Sequence, residues 1–204
     1  MQYFQAHIDS GTLNLLPKVT FGGSITVVDT PEQATIAVNE LLKCEVLGFD
    51  TETRPIFRKG KIHKPALLQL ACRDQAYLFR LHSTDMPPKL IELLESDSIK
   101  KVGAAVHDDL KALVKIKSFE PAGFVDLQNM ATEYGIEEKS VRKLAAVTLG
   151  VKISKSQRLS NWEARELTVN QRIYAAVDAW ICREIYMKLI QFRQNRFALE
   201  KAFE

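Results

Sequence analysis

Two acidic residues separated by one position are the first feature of this sequence that could support catalysis. Asp50 and Glu52 close a short apolar run, residues 46–51, which predicts a buried strand. Side chains alternate along a strand, so both carboxylates point to the same face. Neighbouring anions raise each other's pKa unless a cation neutralises them, and hard divalent cations prefer carboxylate oxygens. The pair therefore indicates a Mg²⁺ or Mn²⁺ site, and a solvated strand end is the alternative interpretation.

A tyrosine and an aspartate near the other end of the chain could contribute to the same site. Tyr174 and Asp178 stand at i and i+4 on a predicted helix over residues 170–193, so they share one helix face. The apolar neighbours Val177 and Ile181 place that face at or beside the buried side of the helix. A carboxylate in this position needs a partner. A surface hydrogen bond between the two side chains would explain the spacing equally well.

A further acid lies between these two segments. Residues 101–106 predict a buried strand that leads directly into a helix at about Asp108. Asp109 then falls in the first helical turn, where the helix dipole favours a negative charge. Such an acid is ordinary at a helix start, so it gains significance only together with the carboxylates and the tyrosine described above.

The rest of the hydrophobic pattern predicts an α/β fold with a mixed sheet flanked by helices. Residues 66–72 and 76–79 predict two strands with a tight connection, and hence an antiparallel hairpin. A helix is expected over residues 31–43 because Thr30 can act as its N-cap and Gln33 can close a capping box. These elements would form the central sheet and its covering helices.

The second half of the chain predicts helices. From Val125 onward we expect only helices, with Gly135 and Gly150 as C-terminal stops. No Pro-, Gly- or Ser-rich linker interrupts the pattern. We therefore expect a single domain over residues 1–204.

The overall composition does not by itself identify a partner. The formal net charge is +3, with 28 basic and 25 acidic residues, which is too near balance to indicate a polyanionic ligand. Cys44, Cys72 and Cys182 show no CxxC spacing, so we expect three buried free thiols in a reducing compartment. Residues 1–10 lack a signal-peptide pattern and no apolar run reaches about 18 residues. We expect an intracellular, cytoplasmic protein without a membrane span.

Taken together, these residues resemble the DEDD superfamily of 3′–5′ exonucleases in its tyrosine-containing branch. That branch includes the Werner-syndrome exonuclease domain, ribonuclease D and the proofreading domain of bacterial DNA polymerase I. The candidate catalytic residues fill the three motifs of the branch in order: Asp50 with Glu52, then Asp109, then Tyr174 with Asp178. The similarity covers about residues 24–190. It implies a ribonuclease-H-like fold with a mixed central sheet and a helical C-terminal half.

The resemblance also implies a mechanism. Two divalent cations, Mg²⁺ or Mn²⁺, would lie about 3.5–4 Å apart and hold the scissile phosphate while water attacks it. Asp50 would bridge both ions, Glu52 and Asp178 would complete one ion site, and Asp109 would hold the second ion largely through water. Tyr174 would orient the attacking water. No nucleotide cofactor is implied.

Two basic segments predict contacts with nucleic acid, because cations follow the phosphate backbone and an aromatic ring can stack on a base. One segment directly follows Glu52, and the other precedes Trp162. The candidate contact residues are Thr53, Arg54, Phe57, Arg58, Lys59 and Lys61 in the first segment and Lys155 and Arg158 in the second. A solvated turn is the alternative for the first segment.

The sequence allows more than one prediction of the substrate and of the reaction class. We expect DNA as the substrate because segments outside the motifs, such as residues 65–70, resemble the Werner-syndrome domain. A ribonuclease-D-like exoribonuclease is the first alternative, since this chemistry acts on phosphate and tolerates either sugar. A catalytically inactive nucleic-acid-binding module is the second. An aspartyl phosphotransferase using Asp50 would leave Tyr174 and Asp178 without a role. The sequence does not identify whether a separate helicase or polymerase is a partner of this protein.

Overall fold

A six-stranded mixed sheet with helices on both faces forms the centre of the computed structural model, which describes residues 4–55 and 64–202. The elements follow the chain in this order: α1 (Ser10–Leu15), β1 (Ser24–Val28), α2 (Pro31–Leu41), β2 (Val46–Thr53), β3 (Pro65–Ala71), β4 (Gln75–Arg80), α3 (Leu81–Thr84), α4 (Pro88–Glu95), β5 (Lys100–Gly103), α5 (Val106–Val114), β6 (Phe124–Asp126), α6 (Leu127–Thr132), α7 (Val141–Leu149) and α8 (Val169–Ala202).

The strands lie in the order β1-β4-β3-β2-β5-β6. Strand β3 pairs antiparallel with both β2 and β4, and the other neighbours pair in parallel. The predicted hairpin is therefore confirmed as β3–β4. The predicted mixed sheet is confirmed as well, because the sheet contains both parallel and antiparallel pairs.

Local signals placed several helix ends correctly. The Thr30 hydroxyl accepts from the Gln33 N–H, and the Gln33 side chain accepts from the Thr30 N–H, which is the predicted capping box of α2. Gly150 ends α7 with a φ of 67°, a left-handed conformation that glycine adopts without a Cβ clash. Gly135 has a φ of 75° shortly after α6.

The expectation of helices only from Val125 onward was wrong at one strand. Strand β6 covers three residues and pairs with β5, matching Val102 with Val125. A segment of this length carries no readable periodicity, so its pairing partner decides its conformation. The predicted strand over residues 101–106 is also shorter than expected, because α5 begins at Val106.

The cysteine prediction was wrong for two of the three residues. Cys44 and Cys72 form a disulfide, whereas Cys182 is a buried free thiol as expected. Cys44 precedes β2 and Cys72 follows β3, and these antiparallel strands match Gly48 with Ala71. The strand register therefore brings together two cysteines that are 28 positions apart in sequence.

Helix α8 covers one face of the sheet and approaches β2 unusually closely. A Cβ on Gly48 would lie 1.9 Å from the carbonyl oxygen of Ala179, so only glycine permits this contact. Helices α2 to α5 cover the opposite face, where Phe49 is buried. Among the described residues, no helix is both long and apolar enough to cross a membrane. The close contact places the end of β2 against the middle of α8.

Candidate active site

The end of strand β2 presents side chains to both faces of the sheet. Asp50 and Glu52 are half-buried on the face covered by α8, and Thr51 points to the face covered by α5. Strand β5 pairs with β2 only over Val46 to Gly48. The last residues of β2 therefore lie beside the start of α5 rather than beside another strand.

Helix α8 brings the third motif to the first. Each of Asp50, Glu52 and Asp178 offers a carboxylate oxygen, and these three oxygens lie within 4.8 Å of one another. Tyr174 stands one turn before Asp178 on the same helix, and its phenol donates toward the Asp178 carboxylate. Residues more than 120 positions apart in sequence thus lie close together in the structure.

Asp109 reaches the site from the opposite face of the sheet. It lies in the first turn of α5 and accepts a hydrogen bond from the Thr51 hydroxyl at 2.5 Å. It is outside the three-carboxylate group, but its charge raises the pKa of both Asp50 and Glu52. Sequence reasoning missed Thr51, although strand alternation already directed this side chain away from Asp50 and toward the other face.

A structural carboxylate holds the start of α5 in place. Asp126 of β6 accepts from the Ala105 and Val106 N–H groups at 3.2 Å each and from the Gln128 N–H at 2.8 Å. Ala105 has a φ of 56°, so its backbone is in the left-handed region. The strand that the sequence did not predict therefore fixes the turn that presents Asp109.

Mutual repulsion and burial dominate the electrostatics of the three-carboxylate group. Burial, followed by the charge of Asp178, raises the pKa of Glu52 to about 9. Burial raises the pKa of Asp178 to about 7, against the lowering effect of the Tyr174 hydrogen bond. Burial and the charges of the other three acids raise the pKa of Asp50 well above its usual range. Such a cluster favours protonation unless a cation replaces the protons.

The donor set fits a hard divalent cation. All its ligand atoms are carboxylate oxygens, which Mg²⁺ and Mn²⁺ prefer, and the spacing of three oxygens within 4.8 Å lets one ion contact them together. A bound cation would also stabilise the charged carboxylates, which burial and, for Asp50 and Glu52, the neighbouring charges disfavour. The residues present are thus those expected of a magnesium or manganese site.

Tyr174 remains a hydrogen-bond donor at neutral pH. Burial, and then the charge of Asp178, raises the pKa of its phenol above the usual range. Its ring lies 6.0 Å from the ring of Trp162, which is fully buried. The packing fixes the ring, and the raised pKa makes the phenol a poor general base.

The predicted nucleic-acid contacts are only partly within the described residues. Arg54 follows β2 and pairs with Glu163 at 3.1 Å, near the start of α8. Lys155 and Arg158 are exposed on the segment before Trp162. Thr53 is the last residue of β2, and the other candidates of the first basic segment lie outside the described residues: Phe57, Arg58, Lys59 and Lys61.

Comparison with known proteins identifies relatives along most of the chain. A family model described as 3′–5′ exonuclease matches residues 25–191. The bifunctional 3′–5′ exonuclease/ATP-dependent helicase WRN of Mus musculus is 34% identical over 201 residues, which is 93% of this chain and 14% of that protein. The exonuclease 3′–5′ domain-containing protein 2 of Drosophila melanogaster is 38% identical over 183 residues, 84% of this chain and 31% of that protein.

Solved structures show the same fold. The crystal structure of Escherichia coli RNase D, an exoribonuclease involved in structured RNA processing, has a TM-score of 0.73 at 24% identity and covers 82% of this chain and 44% of that chain. The predicted ribonuclease-H-like α/β architecture is confirmed. The chain spans less than a third of the WRN and Drosophila relatives, and all the candidate catalytic residues lie within the region that the family model matches. The chain belongs to the 3′–5′ exonuclease family of the DEDD superfamily.

Proposed function

We propose that this protein is a metal-dependent exonuclease that hydrolyses phosphodiester bonds at the 3′ end of a nucleic acid and releases nucleoside monophosphates. The observation that carries the proposal is the convergence of Asp50, Glu52 and Asp178, whose oxygens lie within 4.8 Å of one another. Asp109 lies close enough to raise the pKa of two of them. An inactive binding module would be expected to lack one of these ligands, and all four acids are present.

The four acids would divide the binding of two divalent cations. When bound, such ions stabilise the charge that develops on the scissile phosphate and lower the pKa of a bound water. Asp50 would be the central ligand and would help to hold both ions, because the charges of Asp178, Glu52 and Asp109 all act on it. Glu52 and Asp178 would complete one ion site, and Asp109 would serve the other.

Tyr174 would position the attacking water. Its phenol keeps its proton and already donates toward Asp178, so it can donate a hydrogen bond but does not act as a base. The fully buried Trp162 restricts the movement of its ring. Orientation of a reacting group contributes to rate without any proton transfer by the group that orients it.

DNA is the favoured substrate, and RNA is the second candidate. The similarity to WRN extends over 93% of the chain, which supports a substrate preference like that of the Werner-syndrome domain. RNA is supported by the fold shared with E. coli RNase D, an exoribonuclease. The exposed Lys155 and Arg158 would contact phosphates of either polymer.

A degradation assay tests the proposal. Matched 5′-labelled DNA and RNA oligonucleotides are incubated with Mg²⁺, with Mn²⁺ or with EDTA, and 3′-labelled copies report the first product. We expect a descending ladder from the 5′ label, a labelled mononucleotide from the 3′ label, and no reaction in EDTA. Asp50→Ala should be inactive while retaining part of the nucleic-acid binding. Hydrolysis by Asp50→Ala at the wild-type rate would overturn the proposal.

A further inference from the structure

Gln69 is a polar side chain at the centre of the sheet whose hydrogen bonds are not accounted for. It lies in the middle of β3 and is 0% exposed. Within residues 4–55 and 64–202, neither its amide nitrogen nor its amide oxygen has a hydrogen-bond partner. Buried polar groups are nearly always paired, and an unpaired one is destabilising. All the other residues of β3 are apolar, so the amide requires another explanation.

The strand register places this amide beside the carboxylate group. Gln69 is the cross-strand partner of Asp50, and Leu67 is the partner of Glu52. Directly opposite residues of an antiparallel pair point to the same face with their Cβ atoms about 4.5–5.5 Å apart. Gln69 therefore points toward α8, as Asp50 does. Leu67, two positions away on the same face, packs in a cluster with Ala175 of α8.

We propose that Gln69 positions Asp50 by donating an amide N–H to its carboxylate when the site holds divalent cations. This inference rests on the function proposed above. Carboxylates that bind metals are themselves held by hydrogen bonds from groups around them. Asp50 is the acid on which the three other acids act, so its orientation affects every ligand in the group.

The neutral amide suits this task better than a charged donor. A lysine or arginine beside Asp50 would neutralise the carboxylates and compete with the divalent cations for them. An amide donates a hydrogen bond without adding charge, so it can orient a carboxylate and leave its charge for the metal. The same argument accounts for a buried amide in the middle of a strand whose other residues are apolar.

The decisive variant is Gln69→Met, which keeps an unbranched side chain of similar length and removes both polar amide atoms. We expect Mn²⁺ affinity, measured by titration calorimetry without nucleic acid, to fall about tenfold or more, the range found for groups that support a metal ligand. The thermal midpoint in EDTA should equal or exceed that of the wild type, because an unpaired buried amide has been removed. The Mn²⁺ concentration for half-maximal hydrolysis should rise in parallel.

Two further variants separate positioning from packing. Leu67→Met changes a buried side chain on the same strand and face but removes no polar atom, so it should bind Mn²⁺ like the wild type. Gln69→Asn keeps the amide on a shorter side chain and should give an intermediate affinity. If Gln69→Asn folds and Gln69→Met does not, the Mn²⁺ affinity of Gln69→Asn tests the inference.

The outcomes distinguish this inference from the function on which it rests. Unchanged Mn²⁺ affinity in Gln69→Met, or in Gln69→Asn if only that variant folds, would overturn the inference and leave the proposed function intact. An equal loss of Mn²⁺ affinity in Leu67→Met would assign the effect to packing and also overturn the inference. Absence of Mn²⁺ binding by the wild type would refute the proposed function, and the inference with it.

Discussion

The two faces of strand β2 supply carboxylates to the site in different ways. On the α8 face, Asp50 and Asp178 lie together with Glu52, and their pKa values are raised by burial and, for Asp50 and Glu52, by the neighbouring charges. On the α5 face, Asp109 is a single acid whose pKa is also raised by burial, but the Thr51 hydrogen bond opposes that rise. The buried carboxylates on the α8 face therefore need a cation to favour their charged forms, whereas Asp109 on the α5 face is already held by a hydrogen bond from the protein.

Removal of a ligand on the α8 face should have the largest effect. Asp178→Asn keeps the shape of the side chain but removes a charge from the three-carboxylate group. We expect kcat to fall by more than about 100-fold, beyond the range for residues that only support a ligand. Single-turnover hydrolysis at saturating Mn²⁺ measures this loss. A kcat within a factor of a few of the wild type would mean that Asp178 is not a ligand.

Removal of the acid on the α5 face should have a smaller effect. Asp109→Asn should lower the rate by about 10–100-fold, since this acid lies outside the three-carboxylate group. Asp108→Asn is the matched control, because Asp108 is adjacent, acidic and exposed. Steady-state rates of the two variants should differ widely. If Asp108→Asn were the more damaging change, Asp108 rather than Asp109 would be the acid of the second motif.

Loss of the hydrogen bond that orients Asp109 should be milder again. Thr51→Val removes the hydroxyl and keeps the branched shape suited to a strand. We expect about a tenfold rise in the Mn²⁺ concentration needed for half-maximal rate, with little change in the KM for nucleic acid. Thr51→Ser retains the hydroxyl and should restore most of the wild-type behaviour. Equal defects in both variants would indicate a packing role instead.

The response of the metal-free protein to pH is the mildest expected effect. The pKa of Asp178 is about 7 and that of Glu52 about 9 in the folded protein, against ordinary values of 3.8 and 4.5. Across this interval the folded state binds more protons than the unfolded state, so the stability from these groups is present at low pH and is lost as pH rises toward about 9. The thermal midpoint in EDTA should fall by several degrees between about pH 5 and pH 9.

Two controls connect this pH response to the carboxylate group. Mn²⁺ should restore the thermal midpoint more at about pH 9 than at about pH 5, because protons compete with the cation at low pH. A double variant, Glu52→Gln with Asp178→Asn, should flatten the pH dependence in EDTA. A midpoint that rises steadily with pH in the wild type would contradict the raised pKa values.

Features that depend on neighbouring residues were predicted well from the sequence. The capping box of α2, the hairpin of β3 and β4 and the left-handed Gly150 all formed as expected. Strand alternation placed Asp50 and Glu52 on one face, where both carboxylates meet Asp178. The spacing of Tyr174 and Asp178 on one helix likewise put the phenol next to the carboxylate. Each of these results follows from the geometry of a single element or turn.

The order and spacing of the residues were enough to predict which residue types the site could use and on which elements they lie. Tertiary structure alone decided what depends on register between distant segments: the disulfide of Cys44 and Cys72, the contact of Thr51 with Asp109, and the place of Gln69 opposite Asp50. The physical reason is that a strand or helix period fixes the direction of a side chain within its own element. Only pairing and packing across the sheet fix which side chain it meets.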